Sequence, residues 1–286
     1  VDGCDSCEDS IHEIHDYSYR PDPVFHSTDK DERLFFGIEI EMESPHGDTS
    51  ILRQAAETAH MLEDTDHAYL KSDGSLNCGM ELVTHPMSHD YYQNEAHELW
   101  GVLDTLRDVH KMRAWDASTA GLHIHISRTG FSGGAHMHRF LNLVYSNEYF
   151  FSELAGRNSA RWAKYDDVVA NTSVVVDGER KWVAYKSFKN KIEHGRASDR
   201  YSAVNTQNAH TLEMRIFRSS INKNVVKAQI SLAHASVEYT RRLSLQDIKD
   251  GALKRENFIA YIISNAETYP ELTERINRII PTLTTV

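Results

Sequence analysis

Patterning in this chain predicts an α+β fold built on one mainly antiparallel β-sheet, with helices interspersed between the strands. Three observations carry that expectation. First, five short segments each place a carboxylate, an imidazole or a guanidinium on what reads as one strand face, with the polar groups at i and i+2 in the first, third and fifth: Phe36-Gly37-Ile38-Glu39-Ile40-Glu41, Gly79-Met80-Glu81-Leu82-Val83-Thr84, Gly121-Leu122-His123-Ile124-His125-Ile126-Ser127, Arg200-Tyr201-Ser202-Ala203-Val204-Asn205 and Thr211-Leu212-Glu213-Met214-Arg215-Ile216-Phe217-Arg218. Second, several of these lie close in sequence and are joined by hairpin-type turns, which favours antiparallel pairing. Third, stretches with helical spacing separate them, the alternation expected of an α+β chain.

Taken in order, residues 1–33 are polar and irregular, with Pro21 and Pro23, and read as an extended arm; 34–286 read as one domain. A strand covers 34–43. Residues 50–62 carry Ile51, Leu52, Ala55, Ala56, Ala59 and Leu62 at helical spacing, with Thr49 or Ser50 as the expected cap. A short strand over 68–71 leads through the Asp73-Gly74 turn and Leu76 to the Glu81 strand. One long amphipathic helix is expected over 88–112. The His123 strand, a glycine-rich turn at 130–134 and a helix over 135–154 follow. Residues 157–198 form a long excursion rich in Lys, Arg and aromatics, of a length that is uncommon without a function. Strands at 199–206 and 210–217, joined by Gln207-Asn208-Ala209, a helix at 224–243 and a helical 253–280 complete the chain.

Bulk properties narrow the function classes. A formal charge of −11 with no compensating basic stretch argues against a protein that binds nucleic acid through phosphates, and suits one that gathers carboxylates around cations. No apolar run approaches the roughly 20 residues that span a bilayer, and no basic-then-apolar leader opens the chain. The expected compartment is the cytoplasm, with no membrane partner. Three cysteines build no disulfide framework. Cys4 and Cys7 form a CxxC followed by His12 and His15. A structural Zn²⁺ needs four ligands, so the second pair would be those histidines or would lie upstream of Val1; a leftover tail explains the same residues.

Glu39, Glu41 and Glu43 share one strand face, with Ile38, Ile40 and Met42 behind. A water-facing sheet surface accounts for them if taken alone. Yet Glu is depleted in strands, and three on one face repel one another unless cations intervene. Same-face neighbours are about 6–7 Å apart along a strand, which suits two adjacent metal ions better than one. His123 and His125 alternate with apolar residues, as metal ligands or as hydrogen-bonded sheet histidines do. Glu213 and Arg215 repeat the pattern and would equally make a salt bridge. Glu81 is a lone acid on an apolar strand. Together they are more than independent accidents of a wet surface would supply.

In that order, FGIEIE, DGSL…GMELVTHP, GLHIHIS, RYSAVN and TLEMRIFR resemble the amidoligase family, carboxylate–amine ligases related to glutamate–cysteine ligase and to the glutamine synthetase catalytic domain. The resemblance covers about residues 34–243. It implies a curved sheet holding ATP and two or three divalent ions, Mg²⁺ or Mn²⁺, and formation of an acyl phosphate that an amine attacks. Carried over by position, Glu39, Glu41, Glu81, His125 and Glu213 become metal ligands, with His123 and His125 interchangeable in that role. Glu81 also counts as catalytic, Arg215 faces the transferred phosphoryl group, and Arg200 falls at a substrate or phosphate contact. His123, Asn205 and Arg218 become nucleotide contacts. An acyl phosphate needs a cover against water, for which the 130–134 turn and the excursion with Arg157, Arg161, Lys164, Arg180 and Lys181 are candidates, although most of those cations suit a solvated surface.

The expected substrates are an amino acid, amine or peptide, or a protein side chain; their identity and the oligomeric state are not legible. The chain is shorter than a full glutamine synthetase, and no segment reads as a separate β-grasp domain, so whether sites form between subunits stays open. Two rival functions share the scaffold: a metal-dependent amide or phosphoester hydrolase, and a non-catalytic nucleotide-binding module. Arg215 two residues after Glu213 favours phosphoryl transfer over simple hydrolysis.

Overall fold

The computed structural model describes residues 11–157, 162–165, 173–176, 179–182 and 201–283. It forms two compact units, Val1–Ile124 with Arg218–Lys227, and His125–Phe217 with Ala228–Val286.

The first unit holds strands β1 (Phe35–Glu43), β2 (Ala68–Lys71), β3 (Gly79–Thr84), β4 (Met87–Ser88) and the opening residues of β5 (Gly121–Ser127). Their order is β2-β3-β1-β5, with β4 on the far end of β1. The antiparallel pairings among β1 to β4 meet the sequence expectation. Phe36, Ile38, Ile40 and Met42 alternate on β1 and are completely buried. The other face does not stay wet: Glu41, Glu43 and Glu81 are buried as well. Gly79 is required where β3 meets β1, because a Cβ there would lie 2.2 Å from the Met42 carbonyl oxygen.

Helix α1 (Thr49–Asp64) buries Leu52, Ala55, Ala56, Ala59 and Leu62. Its cap is neither Thr49 nor Ser50 but Asp48, whose carboxylate accepts from the Ser50 and Ile51 amides at 2.8 and 3.2 Å. Asp73 builds the turn after β2 by accepting the Ser75 amide on its side chain at 2.7 Å and the Leu76 amide on its carbonyl at 3.1 Å. The helix expected over 88–112 is instead β4, α2 (His89–Asn94) and α3 (His97–Asp108). Side chains take the carbonyls that a continuous helix would use: Trp100 Nε1 donates to Tyr92 O, and Lys227 Nζ to Gln93 O, both at 2.9 Å. The arm is docked along this unit. His15 exchanges backbone bonds with Leu70 and Ser72, and His26 does so with Pro86 and Ser88, while Ile11 and Ile14 are buried.

The second unit takes the rest of β5, helices α4 (Gly134–Ser146) and α5 (Glu148–Ala155), the hairpin β6 (Ser173–Val176) with β7 (Glu179–Trp182), and the pair β8 (Val204–Asn205) with β9 (Thr211–Arg218). Helix α6 (Lys223–Arg241) begins in the first unit and continues in the second, followed by α7 (Leu245–Lys249), α8 (Arg255–Ser264) and α9 (Pro270–Leu283). Two expected helices are divided here. Asn147 ends α4 because its side-chain amide donates to the Leu143 and Leu253 carbonyls, at 2.7 and 2.8 Å. Asn265 ends α8, and Pro270, which has no amide hydrogen to give, opens α9. The strand expected over 199–206 shortens to β8, because Tyr201 and Ala203 bond instead to the backbone of Lys164. No helix among the described residues is long and apolar enough to cross a membrane.

Candidate functional site

The ladder of the first unit fixes which acids meet. Glu41 on β1 lies opposite Glu81 on β3, and Glu81 lies opposite Lys71 on β2. Directly opposed residues share a face, so Glu41, Glu81 and Lys71 form a row across three strands. From β5, His123 reaches the same face: its Nδ1 is 3.0 Å from Glu39 Oε2, and its Nε2 is 4.0 Å from Glu41 Oε1. The Gly121 amide donates to the other oxygen of Glu41 and holds that carboxylate in place.

Two sets of donors lie wholly within this unit. One oxygen or nitrogen each from Glu39, Glu81 and His123 lie within 4.8 Å of one another, and so do oxygens of Glu41, Asp73 and Glu81. Glu81 belongs to both. Asp73 was visible in the sequence only as a turn former; its parity with Lys71, two residues back along β2, is the signal that would have placed it here. Glu43 takes another course. Its Oε1 accepts from the Asn77 amide, the Asn77 side chain and the Thr119 hydroxyl at 3.0, 3.1 and 2.6 Å, which ties the end of β1 to the loops beside it.

Charge makes this cluster costly without cations. Burial, reinforced by the charges of Glu39 and Glu41, pushes the Glu81 carboxyl up to about 9, with Lys71 only partly offsetting it. Burial likewise pulls the Lys71 ammonium down, against the charge of Glu81. Carboxylate oxygens and one imidazole are the donors that Mg²⁺ and Mn²⁺ accept, so the residues fit a divalent cation.

The second unit gathers the late motifs. Glu213 on β9 lies opposite Asn205 on β8. Its Oε2 accepts from Asn205 and Asn208 at 2.8 and 3.4 Å, and its Oε1 pairs with Arg215 Nη1. The Arg215 guanidinium carbon is 6.0 Å from the centre of the Tyr201 ring. His125 Nδ1 is 3.1 Å from the Thr211 hydroxyl. Arg218, three positions after Arg215 and so on the other face of β9, belongs to the first unit, where it lies over the Trp115 indole and donates to the Trp115 carbonyl. Cys4, Cys7, Arg161, Arg180, Lys181 and Arg200 fall outside the residues whose side chains are described.

Comparison with known proteins then places the chain. The family model described as "Putative amidoligase enzyme" matches residues 46–237, more than half of the sequence. The chain belongs to this family, and Glu81, His123, His125, Asn205, Glu213 and Arg215 lie inside the match, whereas Glu39 and Glu41 lie just before it. No curated protein matches. Among solved structures, "Apo GmaS without ligand" aligns with a TM-score of 0.42 and 13% identity, over 85% of this chain and 66% of that one. A bifunctional glutathione synthetase from Pasteurella multocida aligns with a TM-score of 0.41 and 12% identity, over 88% and 47%. The chain thus spans less than two thirds of the length of either, and likeness of this degree decides nothing about the site.

Proposed function

We propose that this protein is an ATP-dependent carboxylate–amine ligase that forms an amide bond through an acyl phosphate. The observation that carries this is the pair of donor sets sharing the buried Glu81, in a chain of the amidoligase family. Glu39, Glu81 and His123 would hold one divalent cation, and Glu41, Asp73 and Glu81 a second. Cations bound there supply positive charge that lets the phosphates of ATP approach an acidic surface.

The reaction asks for positioning and charge rather than covalent help from the protein. A substrate carboxylate oxygen attacks the γ-phosphorus, ADP leaves, and an acyl phosphate forms. The amine nitrogen then attacks the acyl carbon, loses a proton, and displaces inorganic phosphate with the electron pair of the broken C–O bond. Arg215 is assigned to the charge that spreads over the transferred phosphoryl group, with Glu213 orienting its guanidinium. Asn205, and Arg200 outside the described residues, are assigned to phosphate or substrate contacts. Water must be kept from the acyl phosphate, a role proposed for the 130–134 turn and for the excursion, most of which lies outside the described residues.

ADP release, measured across amino acids and amines with Mg²⁺ or Mn²⁺, tests the proposal. Turnover should require a carboxylate and an amine together, and Glu81→Gln and Arg215→Ala should each abolish it while leaving circular dichroism unchanged. Release of ADP at the wild-type rate from either variant would refute the assigned roles. Phosphate release from ATP with no dependence on a carboxylate or an amine would point to a hydrolase.

A further inference from the structure

We propose that Lys71 and Arg20 form an oxyanion-binding subsite on the β2 side of Glu81, completed by the N-terminal arm. The proposal rests on the ligase reading for its biological ligand and on separate observations for its existence.

Only 4% of the Lys71 residue is exposed, and what is exposed includes its ammonium, which among the described residues has no protein hydrogen-bond acceptor and no carboxylate within 4.0 Å. An ammonium carries three donors, and among the described residues none of these is committed to a protein acceptor. Glu81 stands directly opposite on the neighbouring strand, and among the described residues it does not close an ion pair with Lys71. The side-chain contact that Lys71 does make is with the arm: Nζ is 5.1 Å from the centre of the Tyr17 ring. The guanidinium of Arg20 approaches the same ring at 5.8 Å. Two cations therefore meet around one aromatic side chain, beside a carboxylate cluster.

The arm is built to hold Arg20 there. His15 bonds through its backbone on both sides of Lys71, to Leu70 and to Ser72, and stacks on Tyr19 with ring centres 3.7 Å apart. Arg20 Nη1 donates to the Tyr17 and Tyr19 carbonyls at 2.8 and 2.7 Å. Among the described residues, Nε and Nη2 carry no such bond, which leaves one edge of an exposed fork available. A planar fork and an ammonium that approach the same aromatic ring offer the two kinds of donor that recognise an oxyanion: the carboxylate of the acid substrate, or a phosphate of the nucleotide. Glu39, Glu41, Asp73 and Glu81 would repel either anion, so separate positive groups are needed to draw it in and fix its position.

The test is calorimetric titration of the full chain, with and without Mn²⁺, using inorganic phosphate, ADP and L-glutamate as probes. Wild type should bind at least one of them. Arg20→Gln, an arm variant that leaves the core intact, should weaken that binding about tenfold, Lys71→Met should weaken it more, and Lys71→Arg should restore most of it. Loss confined to phosphate and ADP identifies the phosphoryl source; loss confined to glutamate identifies the substrate carboxylate. Affinities within twofold of wild type in both Arg20→Gln and Lys71→Met, or no anion bound by wild type, overturn the subsite. Failure of wild type to bind Mn²⁺ would instead refute the cation sites while the metal-free titrations still decide the subsite.

Discussion

Glu81 is placed where an ionised carboxyl is least comfortable, buried and facing two other acids, and this makes it the most informative side chain to change. In the unfolded chain such a group ionises near 4.5, whereas in the metal-free fold it keeps its proton until about 9. Between those values the folded state holds a proton that the unfolded state has released, so metal-free stability falls as pH rises through this window. Glu81→Gln removes that dependence. We expect the metal-free variant to be at least as resistant to urea as wild type at pH 8, and to lose the rise in Tm that Mn²⁺ gives wild type. A variant that is less stable without metal but still stabilised by Mn²⁺ would contradict the role. At this scale the sequence revealed most of the acids, because i, i+2 alternation on a strand shows directly which side chains share a face. It could not reveal that Glu43 is spent on Asn77 and Thr119, or that Lys71 joins the row, since those facts depend on register across three strands.

At the scale of elements, strands were easier to locate than helix ends. The β1, β2, β3, β5 and β9 spans follow from a period of two and match expectation closely. Helices expected over 88–112, 135–154 and 253–280 are each divided, although the apolar spacing runs on through the breaks. The reason is tertiary: a side chain from elsewhere, or an asparagine at the junction, takes carbonyls that would have continued the helix. Asn147 is the clearest case. Asn147→Ala should cost about 1–2 kcal/mol in urea unfolding, the scale of two lost part-buried hydrogen bonds, while favouring one continuous helix locally. An unchanged midpoint would show that the two bonds do not hold the break.

Across the whole molecule, buried histidines set the response to acid. His136 is 1% exposed, accepts the Ser132 amide on Nδ1 at 3.1 Å and donates from Nε2 to the Val237 carbonyl at 2.9 Å, an arrangement that only the neutral ring satisfies. Burial accordingly lowers it to about 4, from 6.5. Below 6.5 the unfolded chain takes up this proton and the fold does not, so stability declines as pH drops from 7 toward 4, by on the order of 1–3 kcal/mol from this group. Unfolding midpoints measured from pH 7 to 5 should fall for wild type and fall less steeply for His136→Gln; equal slopes would assign the acid sensitivity elsewhere. The central claim about the molecule is that Glu81 joins two cation positions. Anomalous diffraction at the manganese edge, from crystals grown with Mn²⁺ and a non-hydrolysable ATP analogue, tests it most directly. Two peaks are predicted, one ligated by Glu39, Glu81 and His123 and the other by Glu41, Asp73 and Glu81. Density for the nucleotide with no manganese peak beside Glu81 would contradict it.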